Sequence, residues 1–193
     1  MKEEKTRSFL AIPFGSFYSE ELSSIVDDLK SRQIHAKWVR TEEVHLTLHF
    51  FGYLTADEIE SIEKTLHGPL EGLKPFQLNL KEIGGFPSLR RPRVLWIGFG
   101  EGVDRLQNLK AATDSALRSI KVPIEERPFK AHLTLARLKA GLHKDGRELL
   151  SDLINFQCDR PFRVGEVVLF KSVLTSKGPI YSRLHTFKLH GSS

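Results

Sequence analysis

The chain has 193 residues, 40% of them hydrophobic and 27% charged, which fits a soluble globular protein with one substantial core, and its net charge of +5 suits an anionic partner such as RNA. No apolar run approaches the roughly 20 residues that a membrane helix needs, and the N-terminal segment lacks the apolar stretch of a signal peptide, so we expect a cytoplasmic protein that does not contact membranes. The single cysteine, Cys158, excludes an internal disulfide and a cysteine-rich metal site.

The first half of the chain alternates predicted strands and helices. Short apolar or alternating runs indicate strands, and apolar residues at three- and four-residue spacing indicate helices. The strongest local signal is Thr55-Ala56-Asp57-Glu58, a capping box that begins a helix whose expected end is Gly68-Pro69. In chain order the predicted elements are a strand at 8–12, a helix at 19–29, a strand at 44–51, the capped helix and a strand at 76–83.

The second half repeats this order of elements. Strands are predicted at 94–99, 131–138, 162–171 and 181–189, with helices at 103–120 and 149–154. Equivalent residues keep one offset, since Phe9 and Leu95 are 86 apart, His45 and His132 are 87 apart, and Phe76 and Phe162 are 86 apart. Such an internal repeat predicts pseudo-two-fold symmetry. We therefore expect one domain over residues 1–193 with two lobes, roughly 6–90 and 91–190, whose equivalent histidines face one cleft.

Two copies of one tetrapeptide, His45-Leu46-Thr47-Leu48 and His132-Leu133-Thr134-Leu135, lie in equivalent predicted strands. Because successive side chains of a strand point to opposite faces, each strand offers an imidazole and a hydroxyl on one face and turns its leucines into the core. Two imidazoles can take a proton from water and give one to a leaving oxygen near neutral pH. Hydroxyls can donate hydrogen bonds to phosphate oxygens. The matched pair predicts phosphodiester chemistry that needs no metal.

These two segments resemble the H-x-T-x signature of the two-histidine phosphoesterases. Further segments resemble the RNA 2′,3′-cyclic phosphodiesterase branch of that superfamily, historically called 2′–5′ RNA ligases, and these are RSFLAI at 7–12, Trp38, HLTLHFFG at 45–52, PRVLWIG at 92–98 and HLTLAR at 132–137. The resemblance runs from Arg7 to about Leu189. It implies an α/β (α+β) bilobal fold, in which two pseudo-symmetric lobes, each an antiparallel sheet with outer helices, surround a central cleft.

The same resemblance implies the reaction and the residue roles. The activity would be hydrolysis of an RNA 2′,3′-cyclic phosphate end to a 2′-phosphomonoester by a monomer without any cofactor or metal. His45 would be the proton donor and His132 the proton acceptor, while Thr47, Thr134 and Arg137 would bind the phosphate. Arg137, however, lies five positions after His132 and falls on the opposite face of a regular strand. The family often has proline before the second histidine, where this chain has Ala131.

Several interpretations stay open at this point. The enzyme could act on another cyclic nucleotide, could run the reverse reaction as a 2′–5′ RNA ligase, or the chain could be a non-catalytic module that binds a nucleotide or an RNA end. His49 shares the face of His45 on a regular strand and could rim the pocket. The basic run Arg90-Arg91-Pro92-Arg93 is either a solvated loop or a phosphate contact. Four aromatic residues could stack a base or pack in the core, namely Phe14, Phe51, Phe86 and Tyr181.

Overall fold

The computed structural model describes residues 4–139, 146–176 and 178–191. Its first-half elements are β1 (Thr6–Pro13), α1 (Ser19–Ser31), β2 (Ala36–Trp38), a 3-10 turn (Thr41–Glu43), β3 (His45–Leu54), α2 (Ala56–Glu71), β4 (Phe76–Leu78) and β5 (Leu80–Phe86). The second half forms β6 (Val94–Phe99), α3 (Val103–Ser119), β7 (Leu133–Leu138), α4 (Gly146–Leu149), β8 (Phe162–Val164), β9 (Glu166–Thr175) and β10 (Gly178–Lys188). None of the helices in these ranges is long and apolar enough to cross a membrane.

The strands form two four-stranded sheets in the orders β10-β9-β1-β3 and β2-β7-β6-β5, and β4 pairs with β8 in a separate ribbon. Every pairing between these strands is antiparallel. The expected α/β class with antiparallel sheets is therefore confirmed. Strands β9-β1-β3 of one sheet correspond to β5-β6-β7 of the other, and each sheet adds one edge strand that the other lacks.

Each sheet contains strands from both halves of the sequence. The first-half strands β1 and β3 pair in a sheet completed by β9, whereas the second-half strands β6 and β7 are joined by β5. The single strands expected at 76–83 and 162–171 were wrong, because each is interrupted at an equivalent residue, Asn79 or Gly165. The residues before the break pair with each other as β4 and β8, and those after it enter opposite sheets. The two sheets thus do not coincide with the two sequence repeats.

Two helix predictions needed correction at their ends. The capping box of α2 is confirmed, since the Thr55 hydroxyl accepts from the Glu58 N–H and the Glu58 carboxylate accepts from the Thr55 N–H. The helix nevertheless continues through Pro69 to Glu71, because Leu70 extends its buried stripe and outweighs the hydrogen bond that proline removes. The helix expected at 149–154 is wrong. The one-turn α4 ends at Leu149 and the following residues form turns.

One continuous apolar core lies beneath both sheets and takes residues from both halves of the chain. The leucines of the repeated tetrapeptides belong to it, with Leu46, Leu48, Leu133 and Leu135 all nearly inaccessible to solvent. Burial of these leucines anchors β3 and β7 on one side. It therefore fixes which side chains these two strands turn toward the cleft.

Candidate active site

The five residues predicted to act on a phosphate line a single cavity. Its volume is about 290 Å³, and its wall includes His45, Thr47, His132, Thr134 and Arg137. His45 begins β3 and His132 immediately precedes β7, so the two imidazoles come from equivalent places in the repeat. The remaining lining residues come largely from the edge strands and the segment after β2, and they are Lys37, Trp38, Val39, Arg40, Glu43, Val44, Gly178, Pro179 and Tyr181.

A β-bulge interrupts both motif strands at the same position. In β3, Thr47 pairs with Ala11 and His49 pairs with Leu10, so Leu48 between them has no partner in β1. In β7, Thr134 pairs with Trp96 and Ala136 pairs with Leu95, so Leu135 is left over in the same way. The extra residue is in each case the last leucine of the tetrapeptide. A bulge of this kind shifts the alternation of the side chains that follow it, in β3 as far as a second register shift that leaves Phe51 without a partner in β1.

The bulge in β7 brings Arg137 into the cavity. Leu135 and the next residue, Ala136, are both buried, and Arg137 then joins the face that carries His132 and Thr134. The regular pleat assumed from the sequence, which would have turned Arg137 away, does not hold. Its guanidinium can therefore contribute positive charge to the same space as the two imidazoles.

The bulge in β3 has the opposite effect on His49. This side chain is buried at 8% exposure, packs against Phe51 with 4.5 Å between ring centroids, and is not among the residues lining the cavity of His45. Burial and the nearby Lys110 ammonium lower its pKa. His49 lines a neighbouring cavity instead, so the suggestion that it shares the pocket of His45 was wrong, because the regular alternation on which it rested ends at Leu48.

Both catalytic candidates have their Nδ1 atom held in the same way. His45 Nδ1 lies 3.0 Å from the carbonyl oxygen of Glu43, and His132 Nδ1 lies 2.7 Å from that of Lys130. A carbonyl oxygen can only accept, so Nδ1 carries the proton and donates it in each ring. This leaves Nε2 of each histidine as the nitrogen available for proton exchange with a substrate.

The charges around the two imidazoles differ. Burial lowers the pKa of His45, while the hydrogen bond to the Glu43 carbonyl and the Glu43 carboxylate raise it. Burial also lowers the pKa of His132, and there the Lys130 ammonium and the Arg137 guanidinium lower it further against the one hydrogen bond that raises it. Burial is thus the largest influence on both rings and lowers the pKa of each, but the neighbouring charges differ in sign: the Glu43 carboxylate favours protonated His45, whereas Lys130 and Arg137 disfavour protonated His132.

Aromatic rings support each imidazole from the side. His45 contacts Phe9 at 4.9 Å and the edge of Tyr181 at 5.1 Å between centroids. His132 contacts Phe86 at 5.0 Å and Trp96 at 6.3 Å. Phe9 and Trp96 lie in the corresponding strands β1 and β6, but the 86-residue offset matches Phe9 with Leu95, so it did not identify the two rings as a pair.

The four aromatic residues proposed as base-stacking candidates divide into three groups. Phe14 is buried in the core against Phe99 and Phe162. Phe51 packs on His49, away from the cavity. Phe86 and Tyr181 each touch one of the two imidazoles and remain candidates for contact with a substrate.

Within the described ranges, no three His, Cys, Asp or Glu side chains come close enough together to hold a metal ion. The residues that line the cavity offer two imidazoles for proton transfer, and two hydroxyls and a guanidinium for hydrogen bonding.

Comparison with known proteins gives consistent matches over nearly the whole chain. A family model described as LigT-like phosphoesterase matches residues 17–96 and again residues 99–181. The RNA 2′,3′-cyclic phosphodiesterases of Methanothermobacter thermautotrophicus and Aquifex aeolicus are 34% and 35% identical, covering 96% and 92% of this chain and 100% and 96% of their own. The crystal structure of Escherichia coli LigT complexed with 3′-AMP superposes with a TM-score of 0.79 at 23% identity over 96% of this chain and 99% of that one, and shows the same fold.

Proposed function

Since the chain belongs to the LigT-like phosphoesterase family, we propose that it hydrolyses the 2′,3′-cyclic phosphate at an RNA end to a 2′-phosphomonoester. The observation that carries this proposal is the matched pair of imidazoles. His45 and His132 line one cavity, and each has Nδ1 fixed by the carbonyl two residues upstream. A module that only binds a nucleotide has no need for two such rings prepared for proton exchange.

His45 acts as the proton donor and His132 as the proton acceptor. The arrangement of charges supports this assignment, because the Glu43 carboxylate favours the charged form of His45 whereas Lys130 and Arg137 disfavour the charged form of His132. An acid and a base of one residue type must be distinguished by their surroundings if each is to start in the correct protonation state.

In the reaction, a water oxygen attacks phosphorus in line with the 3′ oxygen of the ribose. Nε2 of His132 takes the proton of that water as the new P–O bond forms. The bond from phosphorus to the 3′ oxygen breaks, and Nε2 of His45 gives its proton to that oxygen, which leaves a 3′-hydroxyl and a 2′-phosphate. Thr47, Thr134 and Arg137 hold the non-bridging oxygens, on which negative charge grows in the transition state.

The substrate is an RNA end or a nucleotide fragment carrying a cyclic phosphate. Trp38 and Tyr181 provide aromatic surface beside the phosphate site, where the ribose and base of the terminal nucleotide would lie.

We further propose that the two lobes form one domain, since each sheet takes strands from both halves of the chain. We also propose that the protein works as a monomer, because a single chain supplies both histidines, and that it is cytoplasmic, which fits its single cysteine.

The test is incubation of purified protein with an oligonucleotide that ends in a 2′,3′-cyclic phosphate, followed by chromatography of the product against 2′- and 3′-phosphate standards. We expect the 2′-phosphate, and loss of turnover in His45→Ala and His132→Ala. His67→Ala is the matched control, because His67 is exposed on α2 outside the cavity. Near-normal turnover by either cavity variant would refute the proposal, and tight binding without turnover would favour the binding-module alternative.

A further inference from the structure

A second cavity adjoins the phosphate site on the side of His132. Its volume is about 1220 Å³, and it shares Thr47 and His132 with the first cavity. On the basis of the function proposed above, we propose that this second cavity binds the nucleotides that precede the terminal one in a single-stranded RNA. The enzyme would then recognise an RNA strand and not merely a nucleoside cyclic phosphate.

The sizes of the two cavities support this division of the substrate. The first, at about 290 Å³, is at the lower limit of the ~300–1,000 Å³ found for pockets that hold small ligands, and so has room for little beyond one nucleotide. The rest of an RNA strand must leave it. The second cavity is about four times larger and borders the first at Thr47 and His132, which line both.

The charge of the second cavity suits a phosphodiester backbone. Its lining includes four cationic side chains, Arg93, Lys110, Arg127 and Lys130, against two carboxylates in the segment 123–130. Lys110 is paired with Asp114 and Arg127 lies 3.8 Å from Glu125, which leaves Arg93 and Lys130 as the cations for which no ion pair is found among the described residues.

Arg93 is held in place by its own backbone. Its N–H donates to the carbonyl of Phe86 at 2.6 Å, and its carbonyl accepts from the N–H of Leu138 at 2.9 Å, so the base of this exposed side chain is fixed between β5 and β7. This gives a role to one member of the basic run found in the sequence. Arg93 alone of that run lines the cavity.

Two phenyl rings give the same cavity surfaces on which a base could stack. Phe50 is 52% exposed, unusually open for a phenylalanine, and occupies the position in the first repeat that Arg137 occupies in the second. The bulge at Leu48 therefore turns Phe50 outward as its counterpart turns Arg137. Phe86 lines the cavity beside His132. Rings alternating with cations are the usual surface for single-stranded nucleic acid, since every base can stack.

The decisive experiment compares two substrates with the same reacting end. We measure kcat/KM for adenosine 2′,3′-cyclic phosphate and for a triadenylate ending in the same group, over a series of salt concentrations. The triadenylate should be the better substrate at low salt. Its log–log salt dependence should be steeper by about 0.7 for each additional phosphate contacted. Arg93→Gln should remove about one such contact and lower kcat/KM for the triadenylate about tenfold at low salt, with less than twofold change for the mononucleotide.

Arg163→Gln is the matched control, because it removes the same charge from an exposed residue of β8 that lines neither cavity. Phe50→Ser, which changes an exposed side chain, should lower kcat/KM for the triadenylate in the same selective way. Equal losses on both substrates in Arg93→Gln, or no preference of the wild-type enzyme for the triadenylate, would overturn the proposal.

A binding measurement separates this proposal from the proposed activity. Fluorescence anisotropy with a labelled triadenylate ending in a 2′-phosphate reports the dissociation constant without turnover. If the protein hydrolyses neither substrate, but Arg93→Gln still weakens this binding about tenfold, the hydrolytic function fails and the strand-binding site stands. Unchanged binding in Arg93→Gln would refute the site whatever the activity.

Discussion

Replacing Glu43 by glutamine should shift one limb of the pH–rate profile and leave the other in place. The active form has His45 protonated and His132 neutral, so kcat/KM should follow a bell whose acidic limb reflects His132 and whose alkaline limb reflects His45, as a coupled pair. The Glu43 carboxylate raises the pKa of His45. Its removal lowers that pKa, so His45 loses its proton at lower pH and the alkaline limb moves to lower pH.

The size of the shift follows from the setting of Glu43. A close opposite charge can move a pKa by about 1–3 units, but the Glu43 side chain is 34% exposed and pairs with Arg40, so solvent and that partner screen it. We therefore expect the alkaline limb to move only modestly, by an amount worth about 0.7 kcal/mol, half of the ~1.4 kcal/mol that a tenfold change in rate represents. On the alkaline limb this is about a threefold loss of kcat/KM, with no change on the plateau. The substitution leaves in place the main-chain carbonyl of residue 43, which accepts the hydrogen bond from His45 Nδ1.

The assay is kcat/KM for a cyclic-phosphate dinucleotide at constant ionic strength across the bell. Glu42→Gln is the control, because Glu42 is exposed and does not line the cavity. Lys130→Met is the complementary variant. It removes a charge that lowers the pKa of His132, and the acidic limb should move to higher pH. If Glu43→Gln instead moves the acidic limb, or if both variants move the same limb, the assignment of donor and acceptor is wrong.

Three further predictions concern the same site. Alanine at His45 or at His132 should each lower kcat/KM about 10²–10⁴-fold, and the double variant should lose far less than the product of the two, since the pair acts as a unit; multiplicative losses would contradict this. Activity should persist in excess EDTA, because the imidazoles supply both proton transfers, and activity that disappears and returns with added zinc or magnesium would show that the site was misjudged. Gly84→Ala should destabilise the protein by about 1–3 kcal/mol in urea denaturation, because the added Cβ would lie 2.1 Å from Cζ2 of Trp96. It should also lower kcat/KM, because the displaced indole lies beside His132. Wild-type stability of this variant would show that the indole can move without cost.

The shared cavity of His45 and His132 could be predicted because its signals are local and repeated. The alternation within each tetrapeptide identified which side chains face away from the leucines, and the constant offset between Phe9 and Leu95, Phe76 and Phe162, and the two histidines showed that the tetrapeptides are equivalent. These patterns need only the spacing of residues along one strand or one repeat. They correctly indicated the class of fold as well.

The bulges could not be predicted in the same way. Whether Leu48 or Leu135 is left unpaired depends on how β1 and β6 supply hydrogen-bonding partners, and nothing in the motif strands themselves encodes that count. The regular pleat assumed from the sequence therefore turned Arg137 away from the cavity of His45 and His49 toward it, and both placements were wrong. The neighbours that distinguish the two imidazoles, Glu43 and Lys130, also lie outside the repeated tetrapeptides.

The pairing of strands from different halves of the chain could not be predicted either, for a different reason. An offset between similar residues reports that two segments share a shape, and does not say which strands pair. The breaks at Asn79 and Gly165 that send β5 and β9 into opposite sheets fall inside runs of alternating apolar and polar residues, where a single Asn or Gly does not indicate that the strand changes sheet. Pairing across the repeats is decided by burial of the whole core.

Because each sheet combines strands from both halves of the chain, the two sheets are completed in a fixed order during translation. All four strands of the sheet β2-β7-β6-β5 have been synthesised once Leu138 has been added. The sheet that carries His45 must wait much longer, because β1, which precedes the other described strands along the chain, pairs through Leu10 with Leu169 of β9. Such distant pairing is slow to form and leaves an apolar strand without its neighbour during translation. The half of the site that carries His45 is therefore completed after the half that carries His132, and a chain that terminates before β9 lacks it.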